Sequence, residues 1–294
     1  MSTAAVALRR PPVHLRHRRR VVNSVMLTLT LLCTIITVSA LFLILGYLVW
    51  NGSRSLDWNF FTKLPLSPGE TGGGMANAIV GSAKMVMLAA VIGVPIGFMA
   101  GVYTSEFGGA TMGFLVRYTA DLLNGVPSIV IGIFAWTLVV VPMKTFSAVA
   151  GGVALSLMVI PITMRSTEQF LQQVPLSLRE GALALGASKW RTIATVVVPA
   201  ARAGILTGII LGVARITGET APLLFTALNN QFWSNGWNQP TASLPVMIYY
   251  RALSPYEDFH RQAWAAGLVL LTLVLIANIA ARMILSRGAV ASRG

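Results

Sequence analysis

Residues 203–228 read AGILTGIILGVARITGETAPLLFTAL, an apolar run that contains one arginine, Arg215, and one acid, Glu219. A run of this length is typical of a helix that crosses a lipid bilayer, because about 20 mostly apolar residues span the hydrocarbon core. An arginine near the middle of such a helix costs about 2.5 to 3.5 kcal/mol on insertion scales and usually faces a cavity or a partner. The run therefore predicts a membrane span with a polar centre.

Composition extends this prediction to the whole chain. Of the 294 residues 55% are hydrophobic and 11% charged, and the mean hydropathy is +0.72, which excludes an ordinary soluble domain. Further apolar runs lie at 22–49, 77–103, 126–141, 148–164 and 263–285. Since backbone groups in lipid must be satisfied within a helix, we expect an all-α, polytopic membrane protein with six transmembrane helices.

The positive charge indicates orientation rather than a nucleic-acid partner. The net charge of +13 comes from basic residues that lie between apolar runs, not on a polar folded face, so nucleic acid is not expected to bind. Cytoplasmic loops carry the excess of Lys and Arg. The side assigned to the cytoplasm holds Arg9, Arg10, Arg16, Arg18, Arg19, Arg20, Arg117, Arg165, Arg179, Lys189, Arg191, Arg202, Arg282, Arg287 and Arg293. The opposite side holds only Arg54, Lys63, Lys144, Arg251 and Arg261. Both termini are therefore predicted to be cytoplasmic.

The domain organisation follows from these spans. We expect a basic cytoplasmic arm at 1–21, one membrane domain at 22–285 and a cytoplasmic tail at 286–294. The first apolar run continues to Trp50, too far for the apolar region of a cleaved signal peptide, so an uncleaved anchor in the plasma membrane is predicted.

The predicted cytoplasmic loop, about 165–202, contains the stretch VPLSLREGALALGASKWR at 174–191. Leu176, Leu183, Ala187 and Trp190 recur at helical spacing, which predicts a short amphipathic helix. Periodicity alone leaves open whether this helix packs on lipid headgroups or on a protein. A phosphate-binding P-loop is excluded, because no strand precedes the stretch and Gly186 is not followed by lysine.

The same loop resembles the EAA loop of ABC importer permeases. The pattern of that family is E-A-A, three residues, G, nine residues and I-x-L-P, and residues 180–199 match it. Three residues depart conservatively from it: Gly181 replaces alanine, Val196 replaces isoleucine and Val198 replaces leucine. The resemblance implies a coupling helix that docks on a separate ATPase subunit, which supplies ATP and Mg²⁺ binding. The residues assigned to coupling are Glu180, Gly181, Ala182 and Gly186. No cofactor or metal is expected on this chain.

A second resemblance narrows the family. Residues 211–224, LGVARITGETAPLL, are similar to the R-A-x-G-E-T-A-P-L signature of phosphate-specific permeases of the PstA type, with Ile216 where alanine is common. NGVPSIV at 124–130, SLPVMIY at 243–249 and AWAA at 263–266 resemble other segments of that family. The likeness covers roughly 75–285 and implies the type I ABC importer permease fold.

The residues themselves indicate where a substrate would pass. If one helix carries both, Arg215 and Glu219 lie one turn apart and can neutralise each other, either on a substrate path or as a pair that fixes packing. Pro127 and Pro222 interrupt helices, and a freed helix start offers amides to an anion, although each proline could simply be a kink. The predicted substrate path comprises Arg215, Glu219 and Thr220, with helix breaks at Pro127, Ser128, Gly218 and Pro222. Lys84 and Asp121 are weaker candidates near the ends of their spans.

Two classes of function remain. The first is a non-catalytic permease subunit of an ATP-driven importer of phosphate, or of another oxyanion. The resemblance implies a second permease subunit, two ATPase subunits and an extracytoplasmic phosphate-binding protein as partners. The second class is a polytopic membrane enzyme, which is disfavoured because His14, His17 and His260 lie in the arm or an external loop, and no paired acids or nucleophiles share one depth.

Overall fold

The computed structural model describes residues 13–67, 69–70 and 72–290, with side chains described for 19–67, 69–70 and 72–283. The chain divides into two units, residues 1–50 and residues 51–294. Helix α1, Val13–Ser53, makes up the described part of the first unit, ends three residues beyond it, and contains the predicted span 22–49. Residues 1–12 of the predicted arm and 291–294 of the predicted tail lie outside the described residues.

The second unit is also helical. In chain order its helices are α2 Trp58–Thr62, α3 Ala76–Glu106, α4 Ala110–Gly125, α5 Ser128–Met143, α6 Ala148–Gln172, α7 Leu176–Ala184, α8 Lys189–Thr217, α9 Ala221–Thr226, α10 Leu244–Ala252 and α11 Glu257–Val290. None of residues 13–67, 69–70 and 72–290 lies in a β-strand, so the all-α prediction is confirmed.

The helices that could cross a membrane agree with the predicted spans in number but not in every boundary. Across the described ranges, α1, α3, α6, α8 and α11 are each long and apolar enough, by length and composition alone. Counting the bent pair of α4 and α5 as one span gives six. The predicted span at 126–141 corresponds to α5 within two residues, but the prediction did not include α4, which forms the other half of the bent pair. The axis turns by 106° between α4 and α5, at Val126 and Pro127.

The bend has a local cause. Proline has no amide hydrogen to donate, and it disfavours helical backbone in the residue before it. Val126 accordingly has an extended backbone with ψ of 132°, and Pro127 has ψ of 136°, outside the helical range. The helix restarts at Ser128, so Pro127 separates two helices rather than kinking one.

The predicted span at 203–228 is wrong in its bounds. Helix α8 begins at Lys189 and ends at Thr217, residues 218–220 are not helical, and α9 begins at Ala221. Pro222 lies in the first turn of α9, where its missing amide hydrogen removes no helical bond. The proline therefore starts a new helix, and Glu219 does not continue the helix that carries Arg215.

Two other prolines are accommodated inside helices. A π-helical turn at Trp136–Val140 lies just before Pro142 in α5, and another at Ile193–Val197 lies just before Pro199 in α8. A wider turn relieves the clash between the proline ring and the preceding carbonyl groups. Both helices consequently continue past their prolines.

The centre of the second unit is the close packing of α3 on α6. Gly97 and Gly101 lie one turn apart on α3, and a Cβ added at either would lie 2.6 Å from a carbonyl oxygen of α6, that of Ile160 or Met164. Small residues at this spacing let helix backbones approach in a membrane, where hydrophobic burial does not drive association. Beside this contact a buried cluster joins Met85, Ile131, Met158, Val159, Ile216 and Leu223, and so holds both helix breaks against α6.

The segment between α9 and α10 lies on one end of α3. Asn77 donates to the carbonyl of Asn230 at 2.7 Å, and Lys84 donates to the carbonyl of Ser234 at 2.8 Å. Lys84, a weaker path candidate, therefore has a partner in this segment rather than in the cavity described below.

Candidate functional site

The two helix breaks meet at one cavity. Its volume is about 190 Å³, and it lies between the α4–α5 break, α6 and the end of α8. Its lining residues are Leu123, Asn124, Val126, Pro127, Ser128, Ile131, Met158, Ile162, Arg215 and Glu219. The fold thus brings together four predicted path residues, Pro127, Ser128, Arg215 and Glu219, which we call the Arg215 cavity group.

The expected ion pair within this group does not form. In the part of the chain that is described, no nitrogen of Arg215 lies within 4.0 Å of a carboxylate oxygen of Glu219. The physical reason is the end of α8 at Thr217, which takes Glu219 out of the helical register that would place it one turn from Arg215. Both side chains instead face the same cavity, Arg215 exposed and Glu219 half-buried.

Polar groups surround the cavity on the side of α5. Helix α5 starts at Ser128, so the amides of Ser128 and Ile129 have no preceding turn to accept their hydrogens, whereas the amide of Val130 donates to the carbonyl of Pro127 at 2.9 Å. Asn124, at the end of α4, is also part of the lining. The cavity is thus lined by one positive side chain, Arg215, and one negative side chain, Glu219.

The second halves of the two broken helices are packed tightly together. A Cβ added at Gly132 of α5 would lie 2.7 Å from the Cα of Pro222 in α9. Pro222 is buried at this contact and does not line the cavity. The predicted helix break at Pro222 therefore positions α5 rather than forming the cavity wall.

The remaining predicted path residues lie beside the cavity and outside its lining. Gly218 caps the end of α8, where its amide donates to the carbonyl of Arg215 at 3.4 Å. The carbonyl of Thr220 accepts from the amides of Leu223 and Leu224, each at 3.1 Å. Both residues shape the break that ends α8.

Sequence reasoning missed Asn124 and a network of charges on α4 and α6. Glu168 is only 3% exposed and accepts from both Arg117 and Arg165, while Arg165 also pairs with Asp121. Asp121, the other weaker candidate, thus has a structural partner. The signals were present, since Asn124 immediately precedes the Gly-Val-Pro break, and Arg165 with Glu168 has i,i+3 spacing.

The candidate coupling segment is a short helix with no buried residue. Helix α7 carries Glu180, Gly181 and Ala182, of which the first two are exposed and Ala182 is half-buried. Large apolar side chains also stand in solvent, and Leu185 is 90% exposed. An exposed apolar patch of this kind is typical of a protein-binding surface.

The predicted helix from Leu176 to Trp190 is interrupted. Helix α7 ends at Ala184, and Gly186 follows with φ of +82°, a left-handed conformation that glycine adopts without strain. Leu176 and Leu183 therefore share one helix, whereas Trp190 belongs to α8. The prediction that all four apolar positions, including Ala187, share one helical face is wrong because of this turn.

Charged contacts hold the segment to the end of α3. Arg179 of α7 pairs with Glu106 and also donates to the carbonyl of Leu171 at 2.6 Å. Lys189 donates to the carbonyl of Glu106 at 2.6 Å and lies 4.5 Å from the ring centre of Phe107. Helix α7 is therefore linked to the end of α3 by an ion pair.

No metal centre accompanies these sites in the described ranges. Among residues 19–67, 69–70 and 72–283, whose side chains are described, His, Cys, Asp and Glu do not form a group of three that could hold a metal ion.

Comparison with known proteins identifies the family. Residues 93–288, more than half of the chain, match the family model described as "Binding-protein-dependent transport system inner membrane component". The chain is 44% identical to the phosphate transport system permease protein PstA of Yersinia pestis over 92% of each chain. It is 43% identical to the PstA protein of Pasteurella multocida over 91% of this chain and 95% of that protein.

The fold also matches solved transporters. A bacterial ABC transporter involved in the import of the acidic polysaccharide alginate superposes with a TM-score of 0.65, at 16% identity, over 92% of this chain and 99% of that chain. This likeness concerns the fold alone and agrees with the type I ABC importer permease prediction. The chain therefore belongs to the family of binding-protein-dependent transport system inner membrane components, on the branch of the PstA phosphate transport system permease proteins.

Proposed function

We propose that the chain is the membrane-spanning permease subunit of an ATP-driven phosphate importer and forms half of its translocation pathway. The observation that carries this is the meeting of Arg215, Glu219 and the start of α5 at one cavity, in a chain whose relatives are phosphate transport system permeases. The chain itself catalyses no reaction in this proposal. Its part is to bind the anion and to release it.

Arg215 supplies the charge that a phosphate anion needs in a region of low dielectric. A guanidinium stays charged at neutral pH and can donate to two oxygens at once. At about 4 Å and an effective dielectric near 20, the attraction is about 4 kcal/mol. The free amides at the start of α5, together with the side chains of Ser128 and Asn124, would bind the remaining oxygens of the phosphate.

Glu219 limits how tightly the anion is held. Because it faces the same cavity without pairing to Arg215, it leaves the guanidinium free for the substrate and repels an anion that stays. A site that conducts must bind strongly enough to admit an ion and weakly enough to release it. The unpaired arrangement meets both needs.

Energy enters through the exposed helix α7. In this proposal two ATPase subunits, which bind ATP and Mg²⁺, dock on α7 and on the corresponding segment of a second permease subunit. The exposed Leu176, Leu183 and Leu185 provide the apolar contact, and the Arg179–Glu106 pair transmits the motion to α3. Glu180, Gly181, Ala182 and Gly186 form the docking motif.

The remaining partners follow from the same assignment. An extracytoplasmic phosphate-binding protein would deliver phosphate to the side opposite α7, and both termini would lie in the cytoplasm of a cell whose plasma membrane holds the subunit. This orientation rests on the excess of Lys and Arg on one side of the spans.

Transport by the reconstituted complex tests the function. The chain is purified with its second permease and ATPase subunits, placed in proteoliposomes, and supplied with the binding protein and with labelled phosphate, sulfate or molybdate. We expect uptake of phosphate that requires ATP and the binding protein. ATP-dependent uptake of another oxyanion in place of phosphate would establish the alternative substrate.

A further inference from the structure

A second cavity lies in the part of the chain predicted to be extracytoplasmic. Its volume is about 230 Å³, and Arg251 of α10 lies in its wall. Further lining residues with polar side chains are Ser67, Asn229, Gln231, Tyr250 and Ser254. None of the residues that line this cavity also lines the cavity at Arg215. The two sites are therefore separate.

Arg251 is buried without a carboxylate partner. The residue is 5% exposed, and within the described ranges its Nη1 atom has no hydrogen-bond partner and its guanidinium forms no ion pair. Burial lowers the pKa of the Arg251 guanidinium to about 10, so the group stays charged at neutral pH. Its carbon Cζ lies 4.0 Å from the ring centre of Phe259, a contact that holds the group in place without neutralising it.

Unlike Arg251, the other partly or fully buried arginines among the described residues of this unit have carboxylate partners. Arg117 and Arg165 share Glu168, and Arg179 pairs with Glu106. A buried charge is unfavourable unless it is paired, so a chain that pairs these three and leaves Arg251 unpaired has room for an external partner at Arg251. The cavity provides that room, since one water occupies about 30 Å³ of liquid and the cavity is several times larger.

We propose that this second cavity binds a small tetrahedral oxyanion, with Arg251 as its charged partner and Asn229, Gln231 and Ser254 as hydrogen-bonding neighbours. The inference rests on the proposed function, which supplies inorganic phosphate as the anion. The cavity would hold phosphate on the outer side of the subunit before it reaches Arg215. A carboxylate side chain of the binding protein is also negatively charged and could occupy the cavity instead. The experiment must therefore distinguish it from phosphate.

Protection of a cysteine tests the proposal directly. Ser254→Cys is introduced in a Cys33→Ser background, and the assembled transporter complex is labelled with a charged thiol reagent without nucleotide. At a phosphate concentration of ten times the Kd for this cavity, about one cavity in eleven remains free. Labelling of Ser254→Cys should therefore slow about tenfold. Arg251→Met should abolish the protection by phosphate. Arg251→Lys keeps the positive charge and should retain part of the protection; it serves as the test if the Met variant does not assemble.

Three controls make the result specific. Asn235→Cys, an exposed position outside the cavity lining, should label at the same rate with and without phosphate. Arg261→Gln removes an exposed arginine from the same predicted side and should leave the protection intact. Arg215→Gln should also leave it intact, because that residue belongs to the other cavity.

The outcomes separate this inference from the proposed function. Absence of phosphate protection in a complex that imports phosphate would overturn the inference alone, whereas absence of ATP-dependent phosphate uptake would overturn the proposed function. Protection by the phosphate-free binding protein, equal to that by phosphate, would show a carboxylate occupant and would also overturn the inference. Phosphate protection that is lost in Arg251→Met and kept in Arg261→Gln would support it.

Discussion

Gly186 offers a sharp test of the coupling segment, because Gly181 in the same segment serves as a matched control. Gly186 has φ of +82°, whereas Gly181 lies inside α7 and is not left-handed. A Cβ added at either position would meet no atom within 4 Å. Backbone conformation is therefore the difference between Gly186→Ala and Gly181→Ala.

The expected energies have opposite signs. An L-residue in left-handed conformation costs about 1 to 2 kcal/mol, which changes the population of the native turn by about 5- to 30-fold. Alanine in place of a helical glycine gains about 0.5 to 1 kcal/mol instead. Gly186→Ala should thus displace the turn after α7, and Gly181→Ala should strengthen the helix.

Recovery of the ATPase subunit measures the effect. Each variant is purified through a tag on this chain, and the co-purified ATPase and the ATP-dependent phosphate uptake are compared with wild type. We expect Gly186→Ala to lose ATPase and uptake together. Gly181→Ala should keep both although Gly181 belongs to the docking motif, because alanine is the residue of the E-A-A pattern at that position. Equal ATPase recovery and equal uptake in the two variants would refute the assignment of this turn to coupling.

Three further predictions concern packing, charge and topology. Gly132→Ala should destabilise the subunit by about 1 to 3 kcal/mol in thermal unfolding, because its Cβ would lie 2.7 Å from the Cα of Pro222, whereas Gly46→Ala, with no atom within 4 Å, should not. Glu168→Gln should cost about 1 to 3 kcal/mol because it removes the buried carboxylate that Arg117 and Arg165 share. Asp121→Asn, at a carboxylate whose side chain is 58% exposed, should cost less than about 1 kcal/mol; equal losses would contradict this difference. The topology is tested in a Cys33→Ser background with a membrane-impermeant thiol reagent applied to intact cells. The reagent should label Asn235→Cys but not Ser2→Cys or Ser292→Cys, two positions outside the described residues. Labelling of both termini would contradict the cytoplasmic assignment.

The sequence was sufficient to predict helical membrane spans and the existence of the breaks, although not every boundary. Apolar length predicts a crossing helix from composition alone, and proline removes an amide hydrogen wherever it occurs. Pro127 and Pro222 therefore marked breaks that the structure contains. Glycine at 186 likewise coincided with a left-handed turn.

The geometry of the breaks could not be predicted in this way. Whether Pro222 kinks a helix or starts a new one depends on the packing of α9 against Gly132, a contact between residues far apart in the chain. The end of α8 also explains why Arg215 and Glu219 do not pair. Residues at i,i+4 spacing form an ion pair only where one helix contains both of them. Asn124 and the buried Glu168 became visible only when α4 was placed beside α6.

Phosphate uptake by Arg215→Gln is the most direct test of the central claim that the cavity at Arg215 is the substrate path. The assembled complex is reconstituted in proteoliposomes with its binding protein, and ATP-dependent uptake of labelled phosphate is compared at equal amounts of complex. Loss of an attraction of about 4 kcal/mol corresponds to about a thousandfold in rate if it is expressed fully at the barrier, so uptake should fall to background, and Arg215→Lys should recover part of it. Uptake by Arg215→Gln at the wild-type rate would contradict the account.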